Sequence, residues 1–261
     1  SGYDQTRADF TFDRGSNAAA TRIGSDGLIK KYRENLLTES NQFDTTWVKG
    51  GTTLTSGQSG YDSTNNAWLL SKGAASYTRI TQDIAKSGVH SVSVYAKANT
   101  LSKATIYVFA TGADPYAIFN LVDGSVVSSS SIIDTSATDV GNDWWRLSIT
   151  FNATTQSINF YPDFSESTAG SIFIQSAQLE TGLVATDYLD SGATTAKAGV
   201  LVDLPRINYD ANGENGSLLL EPSRANLIPQ SEYLNGISWN GKIGVSFDTN
   251  TTTSPEGLEN S

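Results

Sequence analysis

Side chains alternate along Trp144-Trp145-Arg146-Leu147-Ser148-Ile149-Thr150-Phe151. Trp145, Leu147, Ile149 and Phe151 fall on one face, and Trp144, Arg146, Ser148 and Thr150 on the other. A period of two over eight residues predicts a half-buried strand. The run 171–179, rich in β-branched and aromatic types, predicts another, and the two are expected in opposite sheets of a sandwich. Further strands are predicted near 52–55, 67–70, 77–84, 89–97, 104–109, 116–121, 132–133 and 157–161. Turns fall at Asp123-Gly124, Gly141-Asn142-Asp143 and Thr168-Ala169-Gly170. Short strands without a long helical period predict an all-β, antiparallel two-sheet jelly-roll sandwich over 34–190. Helix is expected for a turn or two at most, near 39–47.

Four segments follow from this pattern. Residues 1–33 form a β connector of short strands (10–12, 20–23, 27–30), too thin to bury much apolar surface alone. The sandwich follows at 34–190. A small, polar linker (191–199) then leads into a second connector, the two together spanning 191–224. Residues 225–261 begin a second, incomplete sandwich. An internal echo supports this division. Leu28-Ile29 and Arg33-Glu34-Asn35-Leu36-Leu37-Thr38-Glu39-Ser40 match Leu219-Leu220 and Arg224-Ala225-Asn226-Leu227-Ile228-Pro229-Gln230-Ser231 at an offset of 191, and Trp47 and Trp239 follow at nearly the same distance. A period this long means a whole module beginning again, not a solenoid turn. A longer multi-module chain is expected, and with it a homo-oligomer, a trimer for preference, with Phe10, Phe12, Leu28 and Ile29 at the contacts.

Composition narrows the chemistry. Net charge is −10, divided as +2 over 1–33, −8 over 34–190 and −4 over 191–261, which disfavours nucleic acid as a partner. Cysteine is absent, so disulfides, thiolate metal sites and cysteine nucleophiles are excluded together. No apolar run approaches membrane-spanning length, and no membrane insertion is expected. The charged fraction is 17%, and serine, threonine and glycine take the balance, giving a hydroxyl-rich surface.

Several motifs carry a resemblance. Asp9-Phe10-Thr11-Phe12, Ala20-Thr21-Arg22-Ile23 and Asp26-Gly27-Leu28-Ile29 open the chain. Asn35-Leu36-Leu37, Ser93-Val94-Tyr95-Ala96-Lys97, Trp144-Trp145-Arg146 and Ala177-Gln178-Leu179-Glu180 follow, then Pro205-Arg206-Ile207-Asn208-Tyr209 and Gly216-Ser217-Leu218-Leu219-Leu220-Glu221-Pro222-Ser223-Arg224-Ala225-Asn226-Leu227. In order and spacing these resemble virion appendage proteins of tailed bacteriophages, marine phages among them: tail fibres, spikes or head fibres. Their sandwich is similar to carbohydrate-binding modules of the jelly-roll type. The resemblance implies a structural and adhesive protein on the virion surface, contacting other virion proteins and host cell-surface polysaccharide. The depolymerase domain that some such proteins carry is not visible. The alternative is the non-catalytic carbohydrate-binding region of a secreted bacterial glycan-degrading enzyme.

No catalysis is expected. The single histidine, His90, starts the inward side of a strand and reads as structural, which excludes a Ser-His-Asp triad. Asp163 with Glu166, and Asp134 with Asp139, are loop carboxylates that read as solvated instead of as a hydrolytic pair. Taking Val92, Val94, Ala96, Ile106, Val108, Trp145, Leu147 and Ile149 as core leaves Tyr95, Lys97, Tyr107, Phe109, Trp144 and Arg146 facing outward. Such a strip suits a neutral glycan, its rings stacking on aromatics and its hydroxyls meeting Lys97 and Arg146, unless a loop or subunit covers it. The resemblance also implies a structural calcium ion near the module's edge, with Glu180 as its ligand beside Gln178 and residues 34–35. Against that, no dense acidic loop exists, and no other cofactor is expected.

Overall fold

The computed structural model of this chain describes residues 21–23, 29–31, 33–198, 206–208 and 217–219. Phe10, Phe12 and Leu28, and the whole of 225–261, lie outside the described residues. In chain order the strands are β1 (Thr21–Ile23), β2 (Ile29–Lys31), β3 (Arg33–Asn35), β4 (Val48–Gly50), β5 (Thr52–Gln58) and β6 (Ala67–Lys72). They continue with β7 (Arg79–Ala98), β8 (Lys103–Thr111), β9 (Tyr116–Asn120), β10 (Val126–Ser130), β11 (Asp134–Gly141), β12 (Trp144–Pro162) and β13 (Gly170–Thr181). The last three are β14 (Ala196–Ala198), β15 (Arg206–Asn208) and β16 (Ser217–Leu219).

Two long strands build both layers. β7 and β12 pair antiparallel from Trp144↔Lys97 to Phe160↔Ile80, with a register shift between Thr155 and Ser157. One end of this ribbon is flanked by β11 and β13, and the other by β8 and β4. The first sheet therefore runs β11-β12-β7-β13-β6-β5, and the second β4-β7-β12-β8-β9-β10. The extra residue at the shift bends the ribbon, as bulges do, and lets one pair of strands serve two sheets. The predicted strands 77–84 and 89–97 are thus one strand, and so are 144–151 and 157–161.

The inner faces meet as the alternation predicts. Val92, Val94, Ala96, Leu147, Ile149, Phe151, Ile172, Ile174 and Leu179 oppose Ile80, Ala104, Ile106, Val108, Ala117, Phe119, Ile158 and Phe160. Residues 36–47 plug one end of this core. Phe43 packs on Trp68 of the first sheet (6.3 Å between ring centroids), and Trp47 packs on Phe160 of the second (5.5 Å). Within that plug the chain turns through short hydrogen bonds, Gln42 N to Glu39 O and Thr45 N to Gln42 O, without forming a helix.

Three expectations are corrected. The runs 144–151 and 171–179 lie in the same sheet, with β7 between them. The pair 132–133 is not strand, whereas Val126–Ser130 and Asp134–Gly141, hydroxyl-rich and weakly apolar, are. Their backbone pairing is supplied by β9 and β12, neighbours that no local pattern reveals. Trp145 is only half-buried. Its ring folds over Gly124, where φ is +72° and an added Cβ would strike the indole, and its Nε1 donates to Leu121 O (3.0 Å).

The repeated motif at Asn35 acquires a physical role. Asn35 is fully buried: Nδ2 donates to Ala177 O (3.0 Å) and Leu189 O (2.9 Å), while Oδ1 accepts from Leu37 N (3.1 Å) and Leu179 N (3.2 Å). Ser40 repeats the device, its Oγ 2.7 Å from the Tyr188 hydroxyl and accepting from Ser191 N (3.0 Å). β3 then pairs with β14, Asn35 opposite Ala196, so the chain enters and leaves the sandwich side by side.

Candidate functional site

The outer face of the first sheet is covered. Trp144 and Tyr95 do point away from the main core, but they are 2% and 8% exposed, in a separate cluster with Ala67, Tyr61, Val140, Phe173 and Tyr188. The loop after β5 lays Tyr61 flat against Tyr95, and Trp144 meets Tyr61 edge-on (6.4 Å). Asp62 holds this loop, accepting from Thr64 N and Oγ1 and from Gln175 Nε2. Beside it the segment 182–190 crosses the sheet. Thr150 Oγ1 donates to Leu183 O (2.8 Å), Ser91 Oγ to Gly182 O (3.0 Å), and Arg146 Nη2 to Thr186 O. Arg146 also sits over the Tyr95 ring at 5.7 Å. Lys97 turns to Asn142 O (2.7 Å) and Asp143. The predicted strip Tyr95–Lys97–Trp144–Arg146 is therefore a loop-covered surface, and Tyr107 is not part of it.

Glu180 is buried. Its Oε1 accepts from Gln178 Nε2 (2.7 Å) and Thr186 N (2.8 Å), and its Oε2 from Thr186 Oγ1 (2.6 Å). Burial pushes its carboxyl above the usual range, against the pull of these donors. Gln178 turns its amide nitrogen to Glu180, and its oxygen is taken by Leu189 N (2.6 Å). A calcium site needs oxygens converging on the ion, so this pair does not fit one. Among the described residues no three His, Cys, Asp or Glu side chains group together. The residues at 34–35 do lie beside β13, as expected. Glu34 Oε1 accepts from Thr181 Oγ1 (2.9 Å), and Asn35 makes the knot described above.

His90 is buried against Phe151, its Nδ1 3.1 Å from Gly88 O, and desolvation lowers its pKa from 6.5. Neither carboxylate pair forms a constellation. The Asp163 and Glu166 main-chain carbonyls both accept from the Lys72 ammonium, and Asp134 and Asp139 stand on strand β11 and not on a loop, Asp139 Oδ1 accepting from Gly141 N.

Tyr107 leads to a different surface, the outer face of the second sheet. Strand register sets one row across it: Val48, Thr81, Asn159, Tyr107, Tyr116 and Ser130. Phe164, on the loop leaving β12, folds back onto the same place. The planes of Tyr107, Tyr116 and Phe164 lie within 9–19° of one another. Their centroids are 5.5, 5.3 and 6.1 Å apart, separations at which near-parallel rings are offset-stacked. Tyr161 supports them edge-on, 5.9 Å from Tyr107 and 4.9 Å from Phe164. All three rings are partly exposed.

Polar groups rim the stack. Asp114 accepts from the Tyr107 hydroxyl (2.9 Å) and from Ala110 N (2.9 Å), so the β8–β9 turn aims that hydroxyl. Burial, then the Asp114 bond, pushes the Tyr107 phenol up to about 12. Arg79 lies over Phe109 (5.2 Å) and Tyr161 (5.8 Å). Asn159 Oδ1, Thr105 Oγ1 and Arg79 Nε, on this same face, are buried atoms without a hydrogen-bond partner among the described residues. Chemically this is a stack of aromatic rings with unsatisfied polar atoms on the same face. Of the predicted residues only Tyr107, and the outward-facing Phe109 beside it, belong to it. Tyr116, Tyr161 and Phe164 escaped prediction, although alternation in 116–120 and 157–161 places Tyr116 and Tyr161 opposite Ala117 and Phe160.

No family model matches the chain, and no curated protein matches it. Several solved structures are similar to part of this chain. One is the enzymatically active domain of tailspike protein 4 of bacteriophage CBA120, 19% identical with a TM-score of 0.34, the match covering 57% of this chain and 21% of that one. Another is the CBM22-1–GH10 part of Clostridium thermocellum xylanase 10B, complexed with xylohexaose, 11% identical with a TM-score of 0.36, covering 60% and 29%. A family 29 carbohydrate-binding module is 11% identical with a TM-score of 0.34, covering 58% and 89%. The match thus spans under a third of the first two structures' length.

Proposed function

We propose that the sandwich is a non-catalytic carbohydrate-binding module whose contact face is the outer surface of the second sheet. The near-parallel, partly exposed stack of Tyr107, Tyr116 and Phe164 carries this reading. A pyranose presents a flat C–H face that packs on such rings, while its rim hydroxyls meet Asp114 and Arg79. The sandwich carries −8, so neutral glycans suit it better than acidic ones. Affinity electrophoresis in gels cast with hydroxyethylcellulose, xylan or galactomannan, with alginate as the acidic control, tests it. Retardation by a neutral polymer should vanish in Tyr107→Ala and Tyr116→Ala. Retardation unchanged in both variants would overturn the assignment of the face.

The setting we propose is extracellular: a secreted glycan-degrading enzyme, or the surface of a virion. The second is supported by the ordered motifs and the 191-residue echo, and by the side-by-side β3 and β14, which suit a module hung from an appendage. It further proposes a trimer through residues 1–33 and 200–224. Single-site binding near 1 mM corresponds to only about −4 kcal/mol, so such an appendage would rely on many copies. Light scattering that finds a monomer at micromolar concentration would remove the trimer.

A further inference from the structure

Lys72 is 6% exposed, yet its ammonium reaches no carboxylate among the described residues. Its recorded acceptors are two main-chain carbonyls, Asp163 O (3.1 Å) and Glu166 O, both on the loop between β12 and β13. Lys72 ends β6, an inner strand of the first sheet, paired with Thr52 on one side and Gly170 on the other. Phe164 belongs to the second sheet's outer face. The ammonium therefore ties a rigid position in one layer to the loop that completes the aromatic stack on the other.

Burying an ammonium costs several kcal/mol unless it is well paired, and an apolar side chain of equal length would avoid that cost. What the ammonium adds is shape. It holds two carbonyls three residues apart facing one point, which curls the loop with Asp163 at φ +65°. From that curl Phe164 folds back over Tyr107 and Tyr116, while its carbonyl accepts from Tyr77 N (3.0 Å) and its ring meets Tyr77 edge-on (5.1 Å). Backbone contact with Tyr77 alone fixes one bond of the loop. The Lys72 clamp fixes the turn around it.

We infer that Lys72 is a positioning residue for the candidate glycan face: its ammonium shapes the 163–166 loop and so stacks Phe164 against Tyr107 and Tyr116. This rests on the carbohydrate-binding reading only for its functional consequence. The experiment uses the full chain with labelled tyrosine and compares Lys72→Met, Phe164→Ala and the double variant. Ring-proton shifts of Tyr107 and Tyr116 report the stack directly, and retardation in the neutral-polymer gels reports its use. Lys72→Met should shift the two tyrosine signals as Phe164→Ala does and weaken retardation by the same factor. The double variant should be no weaker than Phe164→Ala. Unchanged tyrosine shifts in Lys72→Met would overturn the inference, as would retardation losses that multiply in the double variant. If Lys72→Met does not fold, Lys72→Arg decides, since the longer, planar head cannot meet both carbonyls from the same place, and unmoved tyrosine signals there overturn it. If no polymer retards even the unaltered protein, the carbohydrate reading fails, while the tyrosine shifts still judge Lys72.

Discussion

Tyr61 lies flat on Tyr95, their ring centroids 3.7 Å apart and their planes 2° from parallel. The tyrosine thus occupies the position where a planar ligand would stack on the first sheet. Tyr61→Ala should destabilise the fold by about 2 kcal/mol, the range for losing a half-buried aromatic contact. It should also speed hydrogen exchange of the Trp144 indole proton. Exchange as slow as in the unaltered protein would mean that the 182–190 segment, not this loop, protects Trp144.

Trp144 and Trp145 keep the sides that alternation assigns them, yet the outward Trp144 is the more buried of the two. Trp144→Ala should cost about 3–5 kcal/mol, as for a fully buried aromatic. Trp145→Ala, which removes a half-exposed ring and one bond to Leu121, should cost about 2 kcal/mol. Urea denaturation gives both values, and a smaller loss for Trp144 would refute its burial under the loop.

Asn35 offers a sharper test, because all four of its hydrogen bonds go to main-chain groups. Asn35→Ala strands two buried N–H and two C=O groups and should cost about 3 kcal/mol or more. Asn35→Asp keeps the acceptor but sets a carboxylate against Ala177 O and Leu189 O. Its melting temperature should fall below that of Asn35→Ala at pH 7 and recover in acid as the carboxyl protonates. No recovery at pH 4 would count against the assigned orientation of the amide.

Glu180 gives a pH dependence whose sign follows from burial. Its folded-state pKa lies above the ordinary 4.5, so the native state holds the proton more tightly than the unfolded chain. The stability linked to that proton is complete below pH 4.5 and drains as pH rises through the raised native value. Glu180→Gln, which keeps an acceptor for Thr186 N without the charge, should raise the melting temperature at pH 7 relative to the unaltered protein. The gap should narrow toward pH 4. A gap that widens in acid would mean that the donors around Glu180 outweigh its desolvation.

Alternation was enough to place Val92, Val94, Ala96, Leu147 and Ile149 in the core and to send Tyr95, Trp144 and Tyr107 the other way, because a strand's side chains alternate whatever it pairs with. The all-β class followed for the same reason, and the Asn35 motif stood out by its echo. Local pattern carries no information about which strand lies beside which, or what a loop covers. Hence Tyr95 and Tyr107, identical in phase, ended on opposite outer faces: one under Tyr61, the other open beside Tyr116. Strands β10 and β11 were invisible because exposed edge strands bury too little to impose a period. The bend at Thr155–Ser157, which sends a single ribbon into both sheets, decided where every outward aromatic would stand. That bend rests on a register shift between partners about 70 residues apart, a relationship that exists only once the chain has folded.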